Sequence, residues 1–304
     1  AWAKLNLTLE VLGRRDDGFH ELRSVVAFTG VGDSLEFVPG DSDVRTVMSG
    51  LAQASNGPDA FKLDVEGPFA NALSGANLIV NAAQAAKDRF PKLGFGKFHL
   101  VKTLPVAAGL GGGSADASAA LRLLVQANNN AVSLNDVAAL APGLGSDVAV
   151  CLRSKPAMMT GRGERVEPVK GFPQCGVLLA NPGVQLSTAD VYGELRAEPF
   201  RGEEESEPPP DFGGSFETLI DYVSARANDL EPAALRLAPE VGAVLSTLEI
   251  LAGVRLVRLS GSGATCLAIF ASPREALRAA VLLAEQEPEW WITAGVLGDP
   301  HAEL

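Results

Sequence analysis

Four glycines in the run Leu104-Pro105-Val106-Ala107-Ala108-Gly109-Leu110-Gly111-Gly112-Gly113-Ser114-Ala115-Asp116 stand directly before a stretch, 117–125, whose alanines and leucines recur at helical spacing. Glycine lets the backbone turn with positive φ and lets a ligand approach the main chain. The first N–H groups of a helix point outward and carry the positive end of its dipole. Together these features predict a nest for phosphate. A loop of the Gly-x-x-x-x-Gly-Lys-Ser/Thr kind is excluded, since Ser114 and not lysine follows the last glycine. A dinucleotide fingerprint fits poorly, because its third glycine is replaced and no simple strand-helix-strand run surrounds it. A flexible linker fits poorly as well, given the helical pattern that follows.

Other segments carry groups able to do chemistry, each with a plainer reading beside it. Asp147, in Gly145-Ser146-Asp147-Val148, reads alone as a helix cap ahead of an apolar run. Lys4, in Ala3-Lys4-Leu5-Asn6-Leu7, reads alone as an edge-strand lysine that discourages aggregation. The run Leu259-Ser260-Gly261-Ser262-Gly263-Ala264-Thr265-Cys266 is either a tight strand turn or a place where backbone meets a ligand. In Gly13-Arg14-Arg15-Asp16-Asp17-Gly18-Phe19-His20-Glu21-Leu22, the polar setting predicts that His20 is exposed. His99 and His301 show no partner pattern.

With 304 residues, 47% of them hydrophobic, the chain can bury a large core in one large or two medium domains. Nothing in it reads as a secretion signal or a membrane span, so a cytoplasmic location is expected. Cys151, Cys175 and Cys266 are odd in number and far apart, which fits buried reduced thiols better than disulfides or a zinc site. The net charge of -12 argues against nucleic acid or an anionic membrane as partner. A phosphorylated ligand must therefore be held by local N–H groups, a divalent metal and a few placed cations, for which Lys4, Lys102 and Arg162 are candidates.

The elements that must position these groups are partly legible. Period-two alternation predicts a strand over 2–12, and further strands are expected over 22–28, 34–38, 61–65 and 98–102 in a mixed sheet. Asn77 is expected to cap a helix over 78–90 in which Leu78, Ala82, Ala85 and Ala86 can share one face. Ser114 is expected to cap the helix after the glycines, with Asp116 complementing its dipole. Ser133 is expected to cap a short helix that Pro142-Gly143 ends. Near the C-terminus, strands over 254–259, 265–270 and 291–296 enclose a helix opened by the capping box Ser272-Pro273-Arg274-Glu275. The stretch 198–214, with Glu198, Glu203, Glu204, Glu205, Glu207 and Pro208-Pro209-Pro210, is expected to be an exposed mobile loop, and 48–56 is uninformative. The pattern predicts an α+β fold of two domains, 1–163 and 164–304.

Taken in order, the Ala3-to-Leu7 and Gly13-to-Leu22 segments, the glycine run and the Leu259-to-Cys266 segment resemble those of the GHMP kinases across nearly the whole chain. The second segment and Gly145-Ser146-Asp147-Val148 are similar to the branch that phosphorylates the 2-hydroxyl of a cytidine-diphosphate-linked methylerythritol in non-mevalonate isoprenoid synthesis. Phe19 stands where that branch commonly has tyrosine, which keeps stacking and loses a phenolic hydrogen bond. The resemblance implies an ATP-binding, catalytic N-terminal domain (1–163) and a GHMP-type C-terminal domain (164–304), with ATP and Mg2+ as cofactors and a small-molecule acceptor. It implies Asp147 as the group that takes the acceptor's proton and Lys4 beside it, reversing the plainer reading of both. ATP would lie along Pro105, Val106, Ala107, Ala108, Gly109, Leu110, Gly111, Gly112, Gly113, Ser114 and Ala115, with Ser114 reaching the metal. Phe19 and Tyr192 would sandwich the base, His20 and Asn6 would hydrogen-bond it, and Gly261, Ser262 and Gly263 would close the site from the second domain. Two rival readings remain at this point: a GHMP kinase for a different alcohol, and a nucleotide-binding member without activity. Oligomeric state is not legible.

Overall fold

The alternation that begins at Trp2 makes two strands rather than one. A computed structural model describes residues 1–40, 61–202 and 207–300, which leaves 48–56, Glu203, Glu204, Glu205 and His301 outside the described residues. Strands β1 (Trp2–Asn6) and β2 (Glu10–Arg14) both pair antiparallel with the long β3 (His20–Gly32). Between them the N–H groups of Leu7 and Thr8 share the Val25 carbonyl, which interrupts the ladder and redirects the chain.

The chain continues through β4 (Ser34–Pro39), β5 (Lys62–Glu66), α1 (Leu78–Arg89), β6 (Gly96–Val101) and α2 (Gly112–Ala127). Then come α3 (Leu134–Ala138), α4 (Ala141–Leu144), α5 (Val148–Arg153), β7 (Ala157–Gly161), β8 (Arg165–Pro168), β9 (Cys175–Asn181) and α6 (Thr188–Leu195). The last part holds α7 (Phe216–Ser224), α8 (Glu231–Leu237), α9 (Glu240–Glu249), β10 (Val254–Leu259), β11 (Cys266–Phe270), α10 (Pro273–Gln286) and β12 (Trp291–Gly298).

Among the described residues, nine strands form one antiparallel sheet in the order β10-β11-β9-β12-β3-β7-β8, with β1 and β2 also on β3. The mixed pairing lies in the small sheet β4-β6-β5, where β5 runs parallel to β6. Residue 163 falls in the turn between β7 and β8, and the large sheet runs across it.

Strand β9 is buried along its whole length, and its two faces enter different cores. Cys175, Val177 and Leu179 pack towards Leu5, Leu219 and Val223, while Leu178 and Ala180 pack towards Val244, Leu248 and Ala276. A third core joins α1 and α2 to Phe98 and Leu100 of the small sheet. Alanines let these helices approach closely: the buried face of α1 keeps the expected Ala82 and Ala86 and adds Ile79 and Ala83, while Leu78 packs on its margin. The three cysteines are buried free thiols, and burial pushes the Cys175 thiol up to about 12.

Several local expectations hold and several fail for identifiable reasons. Asn77 accepts from the Ile79 N–H at 2.8 Å, and Ser133 and Ser272 both close capping boxes, with Asp136 and Glu275. Ser114 does not cap α2. Gly111, at φ +62°, holds the cap position, so Ser114 sits inside the first turn with its hydroxyl released. Asp116 turns inward to Lys102 instead of serving the dipole. Pro142 opens α4 rather than ending α3, since a proline at the first helical positions lacks only an N–H that would stay unpaired. The described part of 198–214 is tied down. Phe200 and Glu198 bond to the Arg14 backbone, Glu207 reaches Arg226 at 2.6 Å, and Phe212 is buried. Phe212 supplies the apolar anchor that the acidic and proline-rich composition around it concealed.

Candidate active site

Lys4 and Asn6 lie two residues apart on β1 and so share a face. The Lys4 ammonium donates to Asn6 Oδ1 at 2.7 Å, and Asn6 Nδ2 donates to Ser24 Oγ on β3 at 2.8 Å. Lys4 Nζ also lies 3.0 Å from Asp147 Oδ2. Asp147 stands at the cap position of α5, yet its carboxylate makes no capping bond, which removes the plain reading of that residue. The Lys4 side chain is 5% exposed and that of Asp147 is 28% exposed, so the cation is held inside while the carboxylate faces the cleft.

The glycines of the loop serve different ends. A Cβ on Gly109 would stand 2.0 Å from the Ser260 carbonyl oxygen, so this glycine lets the loop meet the Ser260 turn. Ser260 Oγ donates to Gly109 O at 2.9 Å, and Thr265 N donates to Ala108 O at 3.2 Å, joining the two glycine segments. A Cβ on Gly111 would stand 3.2 Å from Lys4 Cε and 3.3 Å from Asp147 Oδ2, which places the loop against the ion pair. The Lys4 N–H fixes that approach by donating to Leu110 O at 2.9 Å. The first intrahelical donor of α2 is Ala115, to Gly111 O at 2.9 Å, so helix geometry leaves the N–H groups of Gly112, Gly113 and Ser114 for a ligand.

Beneath the loop Lys102 is buried between Asp33 and Asp116, with Nζ 2.8 Å from Asp116 Oδ2. Asp33 also accepts from the N–H groups of Thr103 and Leu104 at 2.6 and 2.8 Å. Burial alone would lower the Lys102 pKa, but the two carboxylates raise it more, and it stands above its ordinary value. Burial and the Asp33 charge push the Asp116 carboxyl up to about 6 against the pull of Lys102, and Asp116 Oδ1 has no hydrogen-bond partner. Lys102 is therefore paired within its own cluster, and it also borders the cleft, its ammonium 3.1 Å from where a Cβ on Gly112 would stand.

A cleft of about 980 Å3 gathers Lys4, Asn6, Phe19, His20, residues 105–114, Asp147, Tyr192, Gly261 and Ser262 along its walls. Ala115 and Gly263 lie outside it. Ala115 is buried behind the loop against Val26, Phe28 and Val150, while the Gly263 N–H closes the turn onto Ser260 O at 3.0 Å. The rings of Phe19 and Tyr192 have other partners: Tyr192 stacks on His20 at 4.7 Å and 28°, and Arg162 lies over Phe19 at 4.5 Å. Burial and the Arg14 charge lower the His20 pKa, and burial with the Asp147 charge raises that of Tyr192. Thr188 and Ser262, whose hydroxyls are 2.9 Å apart, join α6 to the Ser260 turn. Ser24 and Thr188 carry no sequence signal, because only the fold brings them here. Gly161 and Gly163 on either side of Arg162 both adopt positive φ, so the Gly-Arg-Gly triplet was a legible sign of a sharp turn.

Comparison with known proteins decides the family. Residues 77–155 match the family profile "GHMP kinases N terminal domain" and residues 212–286 match "GHMP kinases C terminal". A 4-diphosphocytidyl-2-C-methyl-D-erythritol kinase of Parvibaculum lavamentivorans is 42% identical over 300 residues, spanning 98% of this chain and 97% of its own. The protein of that name from Rhodopseudomonas palustris is 43% identical, spanning 98% and 96%. The chain belongs to the GHMP kinases, among the 4-diphosphocytidyl-2-C-methyl-D-erythritol kinases. A crystal structure of 4-(cytidine 5'-diphospho)-2C-methyl-D-erythritol kinase matches this kinase with a TM-score of 0.71 at 32% identity, covering 98% of each chain. Homoserine kinase from Cytophaga hutchinsonii, at 15% identity and a TM-score of 0.63, shares the fold. Among the described residues of this kinase, no helix is long and apolar enough to cross a membrane, and no group of three or more His, Cys, Asp or Glu is placed to hold a metal ion.

Proposed function

We propose that this chain is an ATP-dependent kinase that phosphorylates the 2-hydroxyl of 4-diphosphocytidyl-2-C-methyl-D-erythritol in the non-mevalonate isoprenoid pathway. The observation that carries the chemistry is the Lys4 and Asp147 pair, set at 3.0 Å against the Gly111 turn inside the cleft. Phosphoryl transfer passes through a loose transition state, so the protein's task is to orient the reactants and neutralise phosphate oxygens.

Asp147 is the group that accepts the proton of the acceptor hydroxyl. Lys4, 3.0 Å from that carboxylate, offsets negative charge as the oxygen loses its proton. The free N–H groups of Gly112, Gly113 and Ser114, with the positive end of α2 behind them, hold phosphate oxygens. Ser260 to Gly263 closes the site from the C-terminal part, and Phe19, His20 and Tyr192 line the end suited to a pyrimidine. Residues 1–163 thus hold the nucleotide and the catalytic pair, and residues 164–304 complete the acceptor site.

Magnesium takes oxygen ligands, keeps several waters and relies on few protein groups. The donors beside the free N–H groups fit that habit: Ser114 Oγ would lie 3.6 Å from a Cβ on Gly145, in the Gly145-Ser146-Asp147 turn that carries the carboxylate. Ser114 would be its protein ligand, and the metal when bound would neutralise phosphate charge.

The test is ADP release from Mg-ATP with and without the cytidylyl acceptor, with mevalonate, homoserine and galactose for comparison. Release specific to the cytidylyl compound is the expected result. Release with another alcohol would overturn the acceptor, and silence with all would overturn the kinase reading.

A further inference from the structure

Near the tip of the β2–β3 hairpin three arginines meet Glu21 or Phe19, and they are not equivalent. Arg15 and Arg165 both pair with Glu21, whose carboxylate is 7% exposed. Arg162 has no carboxylate partner among the described residues, and its guanidinium lies over the Phe19 ring, 4.5 Å from the centroid. Phe19 is half exposed, at 50%, and lines the cleft, so part of its ring is open to a ligand there.

The turn that carries Arg162 is rigidly placed. Its N–H donates to Glu164 Oε2 at 2.6 Å, and a Cβ on Gly163 would stand 2.9 Å from Met159 Cε and 3.2 Å from Ser146 O. The arginine therefore projects from a turn packed on the neighbour of Asp147 and reaches across to the other hairpin. Phe19 and Arg162 together form a wall of the main cleft and of a side pocket of about 170 Å3 beyond it. A phenylalanine has no hydroxyl with which to fix its own ring, and a guanidinium over one face supplies that restraint while leaving the other face free.

We infer that Arg162 is a positioning residue for the acceptor, acting through Phe19: it covers one face of the ring and holds the other ready for the planar base. This rests on the acceptor proposed above. A ring ordered in advance binds a base with less loss of side-chain freedom, so the gain appears in acceptor affinity.

The experiment is a double-mutant cycle on the full chain, with cytidine diphosphate as the probe in a direct binding measurement. Arg162→Met keeps the aliphatic stem and removes the planar cation, and Phe19→Ala removes the ring. Thermal melts establish that each variant is folded. Arg162→Met is expected to weaken cytidine diphosphate roughly three- to tenfold in the native background and less than about twofold beside Phe19→Ala. In turnover it is expected to raise the KM for the acceptor and not that for ATP. Unchanged affinity in Arg162→Met would overturn the inference, as would an equal loss in both backgrounds, which would mean direct contact with the ligand. Failure of the native chain to bind cytidine diphosphate, while it phosphorylates another alcohol, would overturn the acceptor assignment instead.

Discussion

The Lys4 ammonium and the Asp147 carboxylate meet at 3.0 Å with unequal exposure, the cation enclosed and the anion open to the cleft. The asymmetry matters for chemistry, because a base must reach its substrate while the cation beside it need not. Lys4 is fixed by three partners, Asp147, Asn6 Oδ1 and, through its backbone N–H, Leu110 O.

Asp147→Asn is expected to lower turnover roughly 10² to 10⁴-fold, the range of a positioned base, with nucleotide affinity close to native. Single-turnover phosphorylation beside direct ATP binding separates the two effects. Near-native turnover would remove Asp147 from the reaction.

Lys4→Met is expected to impair both fold and activity. It leaves Asn6 Oδ1 without its donor and Asp147 without its counter-charge, at a cost of about 1 to 3 kcal/mol in stability. Turnover should fall with it. Urea unfolding together with kcat measures the pair of effects, and a variant of native stability would contradict a stabilising role for the Lys4, Asn6 and Asp147 network.

Two glycine substitutions in the same loop should diverge. Gly109→Ala places a Cβ 2.0 Å from a backbone oxygen at φ +76°, and is expected to cost more than about 2 kcal/mol. Gly113→Ala meets only Leu78 Cδ1, at 3.4 Å, within a helical turn, and should stay within about 1 kcal/mol of native. Equal denaturation midpoints for the two would refute the separate roles given to these glycines.

The buried cluster under the loop gives the fold a pH dependence with a definite sign. Asp116 holds its proton up to about 6 in the folded chain, above the ordinary carboxylate value. The folded state thus binds more protons than the unfolded one on the acid side of that value, so this group's stabilising contribution is lost as pH rises through it. Lys102, raised above its ordinary value, stays charged throughout this range and adds no slope. Asp116→Asn should remove the fall in urea midpoint between about pH 4 and pH 7 that this residue causes. An identical pH profile in the variant would exclude Asp116 as its source.

Much of this was legible in the residues, and the limits have physical causes. Capping at Asn77, Ser133 and Ser272 could be read because a cap depends on the next few residues only. The order of the motifs pointed to Lys4, Asp147 and the glycine loop, and the fold brings them to one wall. The start of α2 was misplaced because Ser114 has good capping chemistry, whereas the positive φ of Gly111 depends on packing against Lys4 and Asp147. The pairings of Arg162 with Phe19, and of Tyr192 with His20, join side chains from separate elements, and no local pattern announces them. Lys102 looked like any free cation until the fold surrounded it with two carboxylates.

Strand β12, formed by residues late in the chain, is the one inserted between β9 and β3 in the middle of the large sheet. Before residues 291–298 leave the ribosome, the half that presents Ser260 to Gly263 and the half that carries Lys4 and Asp147 are joined only by isolated bridges, such as Leu9 to Asn228 and Arg14 to Pro199, and by loop contacts. The catalytic wall and the turn that closes it can then enter register in a single late event. A chain cut before residue 291 would lack the central strand and with it the ladder that aligns the two sides of the cleft.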